Sequence, residues 1–304
     1  MLTTEQLIRR KNGLGGSDIA AILGLDPYRT AYDIYLDKTS PVLVGQEEEA
    51  DASPEEELGP KYWGNALEDA IAEGYEKRTG FMTTKSDTIY HPLYPYLFAH
   101  PDRLIKGTDK GLEIKNVGYR QAHLWGDESR LIIPEQYLIQ IVHYILVTGF
   151  DSWDIAALIG GNKLLIKTFH NDEKISSIRD KIEEESTRFW RQHVEKKIPP
   201  TFIPNAHSKN SLLKYYSTIE EKEIFLSKDV LKHKENYLKH TKLVTQNKAL
   251  ADSAKAHILK EMENASKAVF PDGSICMRKS IHVKSYTVPE RDNIRLTFNN
   301  KSIF

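Results

Sequence analysis

The stretch H-P-D-R-L-I (100–105), followed by G-L-E-I-K (111–115), decides how this chain is read. Side chains alternate across a strand. A strand through the second segment therefore puts Glu113 and Lys115 on one face, with Leu112 and Ile114 on the other. The turn-forming G-T-D-K-G between the segments predicts two consecutive strands, which sets Asp102 beside Glu113. Two carboxylates and an ammonium then converge on one side of a sheet. Hard cations such as Mg²⁺ take oxygen ligands, and Asp102, Glu113 and the main-chain carbonyl of Ile114 can supply them. A cation held there acidifies water and offsets charge on a phosphate. Lys115 is the candidate for holding that water or neutralising developing charge. The spacing also fits a plain cluster of exposed ion pairs, because D-x₁₀-E-x-K recurs by chance.

The flanking segments read as helices. Gly64–Thr79 is amphipathic, with Leu67, Ala70, Ile71, Gly74 and Tyr75 on one face and Gly80 as its stop. Glu68 flanks that face, either as a further metal ligand or as a solvated carboxylate. Residues 134–148 form a second helix with Pro134 near its start and Gly149 beyond its end. Gln136, Gln140 and His143 make a polar stripe on it, facing either the site or solvent. Upstream, Lys85–Tyr90 and Leu97–Ile105 are expected as strands. Downstream, Trp153–Ile159 and Lys163–Phe169 are expected as a hairpin, followed by a charged helix over Glu173–Lys197.

Near the N-terminus, Thr4–Lys11 and Asp18–Leu23 read as short helices separated by a glycine-rich turn. Ser17 is the expected N-cap of the second. Arg10 and Ser17 bracket that turn and suit either an ordinary cap or a phosphate pocket. No strand precedes the turn and no Gly-Lys-Ser/Thr follows, which excludes a dinucleotide fingerprint and a P-loop.

The order of elements predicts an α/β core with a mixed sheet over residues 1–204, and a mainly helical C-terminal region over 205–304 ending in a strand at Ser274–Val288. Pro199-Pro200 and the loop after it mark the boundary. Net charge is −1 over 304 residues, which argues against a simple cationic nucleic-acid binder. The charge is unevenly spread: residues 205–304 carry 18 Lys/Arg against 11 Asp/Glu. Seven acids fall between Glu47 and Glu57, as expected of a solvated acidic loop. The C-terminal region is expected to contact DNA or to dock a neighbouring subunit or partner. One cysteine, Cys276, excludes an internal disulfide framework. No signal peptide or bilayer-spanning run is evident, so a soluble, cytoplasmic protein is expected.

Five segments in order resemble the YqaJ-type viral recombinase family, which includes phage lambda exonuclease. They are G-G-S-D-I-A-A-I-L-G-L-D-P-Y-R-T (15–30), G-N-A-L-E-D-A-I-A-E-G-Y-E-K-R-T-G (64–80), H-P-D-R-L-I (100–105), G-L-E-I-K (111–115) and Y-L-I-Q-I-V-H-Y (137–144). The resemblance implies a PD-(D/E)XK nuclease with a restriction-endonuclease-like core. It implies 5′-to-3′ digestion of linear double-stranded DNA, leaving 3′ single strands for recombination. It assigns Asp102, Glu113 and the Ile114 carbonyl to Mg²⁺ (with Mn²⁺ as a substitute), Lys115 to catalysis and Gln140 to the catalytic water. Glu68 would support the metal, and Arg10 with Ser17 would hold the 5′-phosphate. A single-strand annealing protein is the implied partner, and a trimer the implied assembly. Where lambda exonuclease has serine before Pro-Asp, this chain has His100. The same core also supports an endonuclease or a non-catalytic DNA-binding module; the intact Asp102, Glu113 and Lys115 argue against the last.

Overall fold

In the computed structural model, residues 4–40, 59–126, 131–218 and 220–280 are described. The acidic stretch 47–57 and residues 281–288 of the expected terminal strand lie outside them.

Three helices open the chain: α1 (Thr4–Lys11), α2 (Gly16–Ile22) and α3 (Ala31–Thr39). A reciprocal cap starts α3. Asp33 N donates to Thr30 Oγ1 at 3.3 Å, and Thr30 N donates to Asp33 Oδ2 at 2.7 Å. Helix α4 (Pro60–Thr79) has Pro60 in its first turn and ends on Gly80, whose φ of 77° is left-handed.

Short strands follow: β1 (Thr83–Thr84), β2 (Ile89–Tyr90), β3 (Phe98–Ala99) and β4 (Arg103–Ile105). The two longer strands expected over 85–90 and 97–105 are thus broken. Pro101 interrupts the second, because proline has no N–H to give a ladder. Next come β5 (Lys110–Val117), α5 (Glu135–Thr148), β6 (Ser152–Ile159) and β7 (Lys163–His170). Pro134 is the N-cap of α5, next to the helix start as expected, and Gly149 ends it. Helix α6 (Glu173–Phe189) starts on Asp172, whose side chain accepts from Ile175 N at 2.9 Å. The charged helix expected to reach Lys197 passes into a π-turn at Trp190–Val194.

The central sheet is mixed, in the order β1-β4-β5-β6-β7. Only β5 and β6 are parallel, with Glu113 opposite Ile155 and Lys115 opposite Ala157. Helix α5 makes the crossover between them, as a parallel pair requires. Strands β2 and β3 pair separately.

The two faces of the sheet carry different cores. Beneath α4, Ile71 and Tyr75 pack with Leu112, Ile114 and Ala156. Ala72 is buried on this helix and Ala70 is exposed, the reverse of the expectation for Ala70. Beneath α5, Ile141 and Ile145 pack with Trp153, Ile155, Leu14 and Ile19. Gly111 is required beside this layer: a Cβ there would sit 2.3 Å from the Trp153 ring. Burying a large apolar side chain stabilises by about 1.5–3 kcal/mol, so these layers hold β5 firmly between two helices.

Two units are present, Met1–Ser217 and Thr218–Phe304. The division falls after α7 (Ser208–Tyr215), which packs on α3, and not at Pro199-Pro200. The second unit contains the 35-residue helix α8 (Lys228–Met262) and a hairpin of β8 (Lys267–Val269) and β9 (Ile275–Met277). No helix among the described residues is long and apolar enough to cross a membrane.

Candidate active site

Strand β5 does what its alternation requires. Leu112 and Ile114 face α4, and Glu113 and Lys115 face α5. Asp102 sits on the bend just before β4 and accepts from Ile114 N at 2.7 Å, which carries its carboxyl to the same edge. From α5, Gln140 completes the group. Its Nε2 donates to Glu113 Oε1 at 2.8 Å and lies 2.9 Å from Tyr144 Oη, while its Oε1 accepts from Lys115 Nζ at 3.3 Å. Lys115 Nζ also donates to Glu113 Oε1 and lies 4.9 Å from the Tyr137 ring centroid.

The electrostatics are unbalanced. Two carboxyls share one ammonium. Burial, and then the neighbouring Glu113 carboxylate, push the Asp102 pKa well above the usual carboxylate range; Lys115 opposes this only in part. Burial favours a neutral Lys115, but Glu113 and Asp102 outweigh it and raise its pKa, so the side chain stays cationic. Among the described residues, Glu113 Oε2 is buried without a hydrogen-bond partner. A buried acceptor left unpaired is costly, and a carboxylate pair short of positive charge suits a hard cation.

Glu68 stands apart from this pair. Its carboxylate is held by the buried Arg103, which also donates to Asp69 and to the Asp102 carbonyl. Glu68 is near enough for its charge to raise the Asp102 pKa. Among the described residues, no group of three or more His, Cys, Asp or Glu side chains is arranged to hold a metal.

The polar stripe of α5 divides. Gln140 enters the site. His143 is fully buried, with Nε2 2.9 Å from the Phe98 carbonyl, and neither faces the site nor solvent as expected. Gln136 is half-buried and is not among the residues that line the site.

Helix α2 reaches the site by close approach. A Cβ on Gly16 would lie 2.7 Å from the Tyr144 ring and 2.9 Å from Gln140 Cγ, so glycine is needed there. The N-cap is Gly15, whose N–H donates to Asp18 Oδ2 at 3.1 Å; Ser17 is therefore inside the helix and not its cap. One cavity of about 300 Å³ is lined by Arg10 and Ser17 together with Asp102, Glu113, Lys115 and Gln140. The lining also includes residues to which the sequence assigned no role, among them Arg9, Asp18, Thr88, Tyr90, Phe98 and Tyr144. Tyr144 lies four residues after Gln140, and that helical spacing is the signal that marks it. His100 also lines the cavity, with Nδ1 3.1 Å from Thr88 Oγ1.

The fold matches that of a solved nuclease. The chain is similar to the alkaline exonuclease LHK-Exo from Laribacter hongkongensis, with a TM-score of 0.51 and 19% identity, covering 70% of this chain and 99% of that one. Residues 6–151 match the YqaJ-like viral recombinase domain. Over 282 residues the chain is 30% identical to the protein YqaJ of Bacillus subtilis (strain 168), covering 91% of this chain and 84% of that protein. The chain belongs to the YqaJ-like viral recombinase family.

Proposed function

We propose that this protein is a divalent-metal-dependent deoxyribonuclease that digests linear double-stranded DNA from its 5′ ends, leaving 3′ single strands for recombination. The observation that carries the reading is the shared cavity, in which a cation-deficient carboxylate pair and Lys115 lie with Arg10 and Ser17. The name of LHK-Exo, an alkaline exonuclease, and the recombinase description of the family agree with it.

Asp102 and Glu113 are the residues that would hold Mg²⁺ or Mn²⁺, joined by the Ile114 carbonyl. When bound, the cation supplies an acidified water and a counter-charge for the scissile phosphate. Lys115 remains cationic and offsets negative charge developing on that phosphate. Gln140, tied to both Glu113 and Lys115, orients the pair and the attacking water. Arg10 and Ser17 take the terminal 5′-phosphate. Glu68 acts through Arg103, which grips the Asp102 main chain. A single-strand annealing protein would take up the 3′ strand, and a trimer is the assembly the family resemblance suggests.

The test is digestion of a linear duplex labelled separately at its 5′ and 3′ ends, beside a closed circle of the same sequence. Loss of the 5′ label first, with the circle intact, is expected. Cutting of the circle would replace the exonuclease with an endonuclease on the same core.

A further inference from the structure

A second charged cluster adjoins the Arg10–Ser17 side of the cavity, which its hub helps to line. Its hub is Asp18, buried at the third position of α2. The carboxylate accepts from Gly15 N at 3.1 Å, Arg29 Nη1 at 3.1 Å and Lys38 Nζ at 2.9 Å. The Lys38 side chain is 2% exposed, which is rare for a lysine.

Both cations also grip main chain. Lys38 Nζ donates to the carbonyl of Arg10 at 2.7 Å, and the Arg29 guanidinium donates to the carbonyl of Ser17. The two gripped residues are the two assigned to the 5′-phosphate, and they come from different helices. Stability alone does not account for the cluster, because packed apolar residues in place of a buried ion pair are often neutral or stabilising. Apolar residues cannot hold two carbonyls at a set separation, whereas a carboxylate with two multidentate cations can.

We propose that Asp18, Lys38 and Arg29 form a positioning cluster that sets Arg10 and Ser17 together for a terminal phosphate, and so determines the preference for phosphorylated ends. The proposal rests on the 5′-phosphate reading given above. None of the three touches the reacting atoms. Preorganisation of this kind acts on how well the end is captured, so its loss raises KM for phosphorylated ends more than it lowers kcat.

The experiment compares kcat and KM on duplexes carrying 5′-phosphoryl or 5′-hydroxyl ends, for wild type, Lys38→Met and Lys38→Arg. In Lys38→Met the phosphoryl-over-hydroxyl ratio of kcat/KM is expected to fall about tenfold, chiefly through KM, and Lys38→Arg recovers most of it. Should Lys38→Met fail to fold, Arg29→Gln is the second variant; its guanidinium is a third exposed, and the same fall in the ratio is expected. Equal losses on both ends, or an unchanged ratio, would overturn the positioning role. A wild type that digests both ends equally would instead remove the 5′-phosphate reading, and the proposal with it. A wild type that digests neither would remove the nuclease reading itself.

Discussion

Two carboxylates, the buried Asp18 and the half-buried Asp102, stand in opposite conditions. Asp18 is saturated: a main-chain N–H, an arginine and a lysine all donate to it. Burial works against its charge, but Lys38 and Arg29 prevail and hold its pKa well below the usual range. Asp102 is starved. Burial and Glu113 push its pKa up, and the nearby Lys115 ammonium is shared with Glu113. The difference separates two uses of a buried charge. A carboxylate with both oxygens engaged by donors holds main chain in place. A carboxylate pair with too little positive charge, and with Glu113 Oε2 lacking a partner among the described residues, is arranged for something yet to bind.

Breaking the starved site is expected to have the largest effect. Lys115→Ala should lower the rate of duplex digestion by at least about 10³-fold, while Mn²⁺ binding measured by calorimetry is retained. Full activity in this variant would end the assignment of Lys115.

Neutralising each carboxylate should sharpen the contrast. Asp18→Asn removes the anion that joins the buried Lys38 to the partly exposed Arg29, leaving Lys38 with Asp37 and Arg29 with Asp26, and is expected to cost up to about 3 kcal/mol in urea unfolding. Asp102→Asn relieves repulsion. Without divalent cation it should change stability by less than about 1 kcal/mol, and it should abolish the rise in melting temperature that Mn²⁺ gives wild type. Equal losses of stability in the two variants would erase the distinction.

A smaller effect concerns pH. Burial depresses the His143 pKa to about 4. The unfolded chain binds a proton near pH 6.5 and the folded chain does not. Stability is therefore whole above that value and falls as pH drops toward 4. The full loss is about 3 kcal/mol, and less at intermediate pH. His143→Gln, with a side chain that can still donate to the Phe98 carbonyl, should flatten the difference between unfolding midpoints at pH 7 and pH 5. An unchanged slope would remove His143 from the titration.

Much of this architecture is legible in the sequence where signals are local and agree. The ends of α1 and the β6–β7 hairpin follow from periodicity and turn residues. The shared face of Glu113 and Lys115 follows from alternation alone. Other features depend on partners distant in sequence. The segment 97–105 carries strand-forming residues, but Pro101 divides it and β3 pairs away from the main sheet. His143 belongs to a polar stripe by spacing; a carbonyl at Phe98 lets it be buried. Ser17 resembles an N-cap, yet Asp18 reaches back to Gly15 and moves the helix start. The cluster of Asp18, Arg29 and Lys38 has no local signature, because its members come from α2, the following loop and α3. Sequence also places Glu68 near the site without showing that Arg103 would claim it.

The central claim, that the cation-deficient pair beside Lys115 is a metal-dependent DNA-cleaving site, is met most directly by measuring nucleotide release from a linear duplex in Mg²⁺ and in EDTA. Release in Mg²⁺ that begins at the 5′ ends, and none in EDTA, is the predicted result. Equal release in EDTA, or none with either Mg²⁺ or Mn²⁺, would contradict it.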